Sequence, residues 1–182
     1  MKKIILLCSI IIFCGCVCNN EEVGTRMIDI DNKEYLKNTF EKIPFKDQDG
    51  NTLIANFEPV NYYIVREDEG PESCEYITYE YGKRKFFIGK YEGEFNISYS
   101  NFYLSIHNYV AFNYLSLDNN IIIEKIGTLT QDIELAGFSF NNVLVFENLN
   151  KKEIWDIEKI VYSKENGIEL ILFRNGNWYK RN

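Results

Sequence analysis

Residues 157–179 read IEKIVYSKENGIELILFRNGNWY, and two Asn-Gly pairs, Asn166-Gly167 and Asn175-Gly176, punctuate the stretch. Asn-Gly favours the positive φ angles of a type I′ turn, whose twist matches the strands on either side. The runs Ile157–Tyr162, Ile168–Phe173 and Trp178-Tyr179 therefore predict a three-stranded antiparallel meander. Ile168–Phe173 is apolar at nearly every position, which is the pattern of a central strand covered on both faces.

Outward from this stretch, the same signals recur. Val143–Phe146, Thr52–Phe57, Asn61–Arg66, Glu75–Tyr81, Lys85–Tyr91, Glu94–Tyr99 and Phe102–Val110 are β-branched and aromatic runs. Turns are expected at Asp49-Gly50, Gly82-Lys83, Glu92-Gly93 and around Ser100-Asn101. The predicted fold is mainly β: a single antiparallel meander forming a curved sheet, half-barrel or sandwich. Composition agrees, with 13 Phe and 13 Tyr against three Ala. AT-rich codons also produce Phe, Tyr, Ile, Asn and Lys, so periodicity carries the assignment. One short helix is predicted over about 32–42, from a capping box at Asp31–Glu34 and the spacing of Leu36, Phe40 and Ile43 before Pro44.

The amino terminus reads as an export signal. Met1-Lys2-Lys3 is followed by the apolar run Ile4–Phe13, shorter than the roughly 20 residues that span a bilayer but suited to a secretory signal. Phe13-Cys14-Gly15-Cys16 resembles the lipobox of bacterial lipoproteins, with Phe13 and Cys14 where that family usually has Leu and Ala or Ser. The resemblance implies cleavage between Gly15 and Cys16 and acylation of Cys16, with a diacylglycerol thioether and often a third, palmitate-like chain. Cys8, Cys14 and Cys18 follow bulky Leu7, Phe13 and Val17 and do not fit the cut. Two or more acyl chains make a stable anchor. The expected organisation is a signal peptide at 1–15, a lipidated Cys and flexible tether at 16–31, and a β-rich domain at 32–182 that contains the helix. Pro44, Phe45 and Gly50, together with Val161–Ile168, resemble uncharacterised lipoproteins common in Bacteroidetes. That likeness implies an outer-membrane anchor in a cell envelope, facing the periplasm or the cell surface, and brings no catalytic residues.

Cleavage after Gly15 removes Lys2 and Lys3 and no acid, leaving 167 residues with a formal charge of −9. A surface of that sign repels phosphate backbones, so nucleic acid is excluded as a partner. With Cys16 acylated, Cys18 and Cys74 are the remaining pair; a bridge between them is not expected, because the paired, spaced cysteines of a disulfide framework are missing. No structural zinc site is expected either.

The remaining candidates are weighed by what their chemistry needs. His107, the one histidine, shares a strand face with Ser105, but no nucleophile-elbow motif accompanies them, so no catalytic residue is assigned. Asp47-Gln48-Asp49-Gly50-Asn51 places its glycine wrongly for an EF-hand and reads as a hairpin tip. The acids of Glu67–Glu72 read as a solvated loop. Tyr79, Tyr81, Tyr103, Trp155 and Trp178 are the candidate stacking residues for a sugar ring or small apolar ligand on a curved sheet. The expected function is that of a membrane-anchored, non-enzymatic envelope lipoprotein without cofactor or metal. It is read as an interaction or structural module for an envelope protein. The alternative is a module that binds a glycan or small apolar ligand.

Overall fold

The computed structural model describes residues 20–70, 74–108, 113–122, 129–148 and 157–182, with the backbone alone at 107–108 and 113–122. The alternating runs form β1 (Glu21–Arg26), β2 (Glu41–Asp47), β3 (Thr52–Phe57), β4 (Asn61–Asp68), β5 (Glu75–Ile88), β6 (Tyr91–Ser98) and β7 (Asn101–Asn108). They continue with β8 (Asn113–Ile122), β9 (Gln131–Leu135), β10 (Phe138–Glu147), β11 (Ile157–Ser163), β12 (Gly167–Phe173) and β13 (Trp178–Arg181). Twelve of these make one large open antiparallel sheet, and β1 is added to β5 as a parallel strand. The order β8-β7-β6-β5-β3-β2-β13-β12-β11-β10-β9 joins two meanders through the β2–β3 hairpin, while β4 also pairs β5. The fold is thus mainly β, as the alternation predicts, and not a closed barrel.

The sheet curls because its inward face is packed with rings. Phe95 on β6 lies 5.2 Å from Phe86, 5.9 Å from Phe102, 6.3 Å from Phe146 and 4.8 Å from Tyr162, ring centre to ring centre. Phe146 and Tyr162 belong to β10 and β11, far from β6 in the strand order, so only a curled sheet brings these rings together. All five are essentially inaccessible to solvent. The Tyr162 hydroxyl donates to the Tyr35 carbonyl, which meets the need of a buried phenol for a partner. Strand β12 lies centrally between β11 and β13 and is covered on both faces, as expected: Ile168, Ile171 and Phe173 join the main core. Leu170 joins a second cluster with Phe140, Val143 and Val161. The bulge in β10 between Phe140 and Val143 puts these two residues of opposite parity in the second cluster, while Leu144 and Phe146 join the main core.

Several local expectations are corrected. The helix predicted over 32–42 is a single turn, α1 (Ile30–Lys33), capped by Asp29, whose side chain accepts from the Asp31 N–H. Leu36 is buried and Phe40 is 56% exposed, while Ile43 and Pro44 lie within β2. The helical spacing therefore joined residues of a core-capping segment and a strand. Gly82 and Gly93, expected in turns, sit inside β5 and β6. A Cβ on Gly93 would stand 2.0 Å from the Phe86 ring, and one on Gly82 would stand 2.7 Å from Tyr62 and 2.8 Å from Ile97. These glycines admit neighbouring side chains and do not bend the chain. The β5–β6 turn instead uses Gly89, at φ 58°. The type I′ turn falls at Ala136-Gly137, both in the left-handed region. At Asn166-Gly167 and Asn175-Gly176 only the glycine has positive φ, the geometry of a longer turn with a glycine bulge.

The stretch 16–31, expected as a lipidated Cys and flexible tether, includes β1 and the buried Ile28. Cys74, expected to be unbridged, is disulfide-bonded, and its partner lies outside the described residues. The Glu21 N–H donates to the Cys74 carbonyl at 2.9 Å, so the amino-terminal segment is tied down where a loose linker was expected.

One buried cation fastens three strands. Arg84, 2% exposed, donates through Nε to the Glu58 carbonyl at 2.9 Å. Its Nη2 reaches the Thr39 carbonyl at 3.1 Å and a Glu41 carboxylate oxygen at 2.7 Å. Burial raises the Glu41 pKa, but the hydrogen bond from Arg84 and the charges of Lys37 and Arg84 outweigh it and hold the carboxyl below its ordinary value. Arg84→Met leaves these acceptors without their donor. It is expected to destabilise the chain by about 3 kcal/mol in urea unfolding at neutral pH. Because the folded-state pKa is depressed, Glu41's contribution is present above the carboxylate range and is lost as pH falls through it, so the difference shrinks on acidification. Gly93→Ala is expected to cost about 1–3 kcal/mol in the same assay, since the Phe86 ring has no room to retreat. Gly24→Ala, whose nearest neighbour would stand at 4.0 Å, is the control.

Candidate functional site

Strand parity divides the aromatic residues of β4 to β7. Arg84, Phe86 and Ile88 face the core, so Tyr79, Tyr81 and Lys83 face outward. Across the ladders Tyr63 stands opposite Tyr81, Val65 opposite Tyr79, and Asn96 opposite both Lys83 and Tyr103. The Tyr63 and Tyr81 rings are stacked, with centres 5.7 Å apart and planes 21° from parallel. Tyr79 and Tyr81 are 6.4 Å apart. Tyr103 completes the row at the β7 end and is 38% exposed.

Charged groups frame these rings. The Tyr81 hydroxyl donates to a Glu67 carboxylate oxygen at 2.7 Å. Lys83 Nζ lies 3.4 Å from Glu94 Oε1 and 5.9 Å from the Tyr63 ring centre. Partial burial and the adjacent Glu67 carboxylate push the Tyr81 phenol up to about 12. Partial burial acts to lower the Lys83 pKa, but Glu94 and the neighbouring tyrosines more than offset it, and the ammonium is held charged above its ordinary range. The result is a flat aromatic ledge edged by donors and acceptors, which suits a ligand with one apolar face and polar edges.

The structure thus brings together three of the five candidate stacking residues, Tyr79, Tyr81 and Tyr103. Trp178 is elsewhere, on β13: its ring meets Phe138 edge to face at 5.0 Å and fixes the β9–β10 hairpin over the second cluster. Trp155, Gly15 and Cys16 lie outside the described residues. Sequence reading missed Tyr63 and Lys83, and it placed Glu67 in a solvated loop, whereas Glu67 lies in β4 beside Tyr81. The run NYYIVR does show two adjacent tyrosines of opposite parity, but nothing in it tells which one faces outward.

Other candidates take plain structural places. Asp47 closes the β2–β3 hairpin, accepting from the Asp49 and Asn51 N–H groups at 3.0 and 2.8 Å, with Gly50 at φ 81°. The Asn51 side-chain hydrogen bond leads in holding its carboxyl below the ordinary value. Ser105 is buried and donates to the Glu94 carbonyl at 3.3 Å. A cleft of about 190 Å³ opens at the turn end among Asp47, Gln48, Lys90, Tyr91, Phe173 and Tyr179. A second groove, of about 480 Å³, runs past Asn142, Lys164, Asn166 and Glu169. Comparison with protein-family models, curated proteins and solved structures returns no match.

The ledge has a spectroscopic signature. In an ultraviolet titration of the intact protein, Tyr81 is expected to ionise near pH 12, and Glu67→Gln to bring that step down towards the ordinary phenol range. An unchanged titration in the variant contradicts the Tyr81–Glu67 contact.

Proposed function

We propose that the protein is a lipid-anchored envelope module, non-enzymatic, that acts by contact through the outward tyrosine ledge of β4 to β7. The observation that carries this reading is the gathering of Tyr63, Tyr79, Tyr81 and Tyr103 on one outward side of β4, β5 and β7. The lipobox-like Phe13–Cys16 supports the anchor, with Cys16 as the acylated residue and the outer membrane as its seat. The excess of acidic side chains suits partners other than nucleic acid. The partner is an envelope protein. A second reading, a glycan as ligand, is favoured by the stacked Tyr63–Tyr81 pair and its Lys83 and Glu94 border, because a sugar ring presents a C–H face to a phenol ring and hydroxyls to charged edges. A small apolar ligand within the curl has less support, since rings fill the core side.

Two measurements test the proposal. A palmitate analogue is expected to label the wild type and to leave Cys16→Ala unlabelled; labelling that survives the substitution removes the anchor assignment. The double variant Tyr63→Ala, Tyr81→Ala is then compared with wild type on envelope glycans and by crosslinking in intact cells. Each ring contributes about 0.5–1.5 kcal/mol to stacking, so glycan or partner binding is expected to fall by roughly fivefold to a hundredfold. Retention of both at wild-type levels rules out the ledge as the contact surface.

A further inference from the structure

The exposed apolar side chains are unevenly spread. Five of the nine large ones among the described residues, Val23, Met27, Ile30, Ile64 and Tyr99, lie alongside the first half of β5. Ile30 and Ile64 are the most exposed, at 72% and 62%. They belong to one surface. Ile64 follows Tyr62 on the same face of β4, and the Tyr62 hydroxyl donates to the Lys33 carbonyl at 3.3 Å, which sets α1 and its Ile30 against that face. Lys33 Nζ reaches Glu80, the residue opposite Ile64, at 2.6 Å.

This surface is one side of a blade. β6 leaves the β5 ladder at Tyr81, and residues 75–80 of β5 continue beyond it, flanked by β4 and β1. At about 3.3 Å per residue the blade extends roughly 20 Å. β1 is hydrogen-bonded along it, so the chain enters the fold at the blade tip.

We infer that this side of the blade, carrying Ile30 and Ile64, rests on a phospholipid bilayer. The inference builds on the proposed acylation of Cys16. Only four residues separate Cys16 from Glu21, a span of about 17 Å when fully extended. A blade tethered so closely at its tip either stands on the membrane, with Ile30 and Ile64 in water, or lies against it, with both in the headgroup layer. The exposure of Ile30 and Ile64 on this side selects the second arrangement. Successive residues of β4 point to opposite sides, so with Ile64 against the bilayer Tyr63 points away from it, and the tyrosine ledge faces the partner.

The test uses the full-length acylated protein in vesicles of phosphatidylethanolamine and phosphatidylglycerol, with and without brominated acyl chains. Ile64→Trp and Ile30→Trp are the probes, Ile54→Trp on β3 is the control, and wild-type fluorescence is subtracted as background. The expected result is at least a twofold loss of probe emission at positions 64 and 30 on bromination, with none at 54. Equal emission at all three positions, in protein that still carries the palmitate analogue, overturns the docking and leaves the anchor standing, whether the face is then bare or covered by a second copy. Protein that takes up no label and stays out of the vesicles overturns the anchor reading, and the docking with it.

Discussion

Strand β5 stays extended over 14 residues because both of its edges are hydrogen-bonded along most of its length. One edge pairs with β1 and then β6, the other with β4 and then β3. The handover falls between Tyr79 and Tyr81 on one edge and between Lys83 and Phe86 on the other, and Gly82 lies between the two, where a strand interrupted by glycine is weakest. Gly82 is nevertheless required there, since Tyr62 and Ile97 close over it from the two flanking strands. Arg84 offsets that weakness two residues on, joining the start of β2 and the end of β3 to β5 through hydrogen bonds that a buried guanidinium must make in any case. Without a continuous β5 the curled core and the projecting blade would be separate pieces, and the blade alone, three short strands, has too little apolar surface to fold.

The same strand explains the distribution of aromatic residues. Of the buried rings of the main core seven are Phe and three, Tyr35, Tyr91 and Tyr162, are Tyr, because a phenol there must find a partner for its hydroxyl; Tyr162 is tolerated through its bond to the Tyr35 carbonyl, and burial pushes its pKa well above the ordinary value. Outward positions of β4, β5 and β7 carry Tyr, whose ring covers the sheet while its hydroxyl stays in reach of water or of Glu67. The aromatic excess in the composition is thus two populations with different tasks, one filling the curl and one facing solvent.

Alternation alone placed most strands. Thr52–Phe57 and Ile168–Phe173 were legible because their patterns are set by burial on one face or both, the strongest periodic signal a strand gives. Glycine misled at Gly82 and Gly93, because a sequence does not distinguish a glycine that turns the chain from one that makes room for a ring. The two Asn-Gly pairs did mark hairpins, but their loops are longer than two residues, and the I′ geometry went to Ala136-Gly137, where register and not residue preference sets the turn. The false helix arose at Leu36, Phe40 and Ile43, where helical spacing coincided with a cap-to-strand transition. At the ledge, Tyr79 and Tyr81 share one parity along β5, while Tyr63 comes from a cross-strand neighbour that one sequence run does not reveal.

β1 was the hardest element to read, and for a definite reason. Its residues EEVGTR are exposed at nearly every position, so no hydrophobic period marks it, and it owes its conformation to backbone hydrogen bonds with β5. A polar strand held only by its ladder looks like a linker in sequence, yet its mechanical consequence is the opposite of a linker's. It fixes where the chain enters the fold, and since β5 also carries Tyr79 and Tyr81 on its outer face, the entry point and the tyrosine ledge are tied to one strand. Any constraint applied to the amino-terminal segment is therefore transmitted to the orientation of the ledge through five register pairs, without a flexible joint between them.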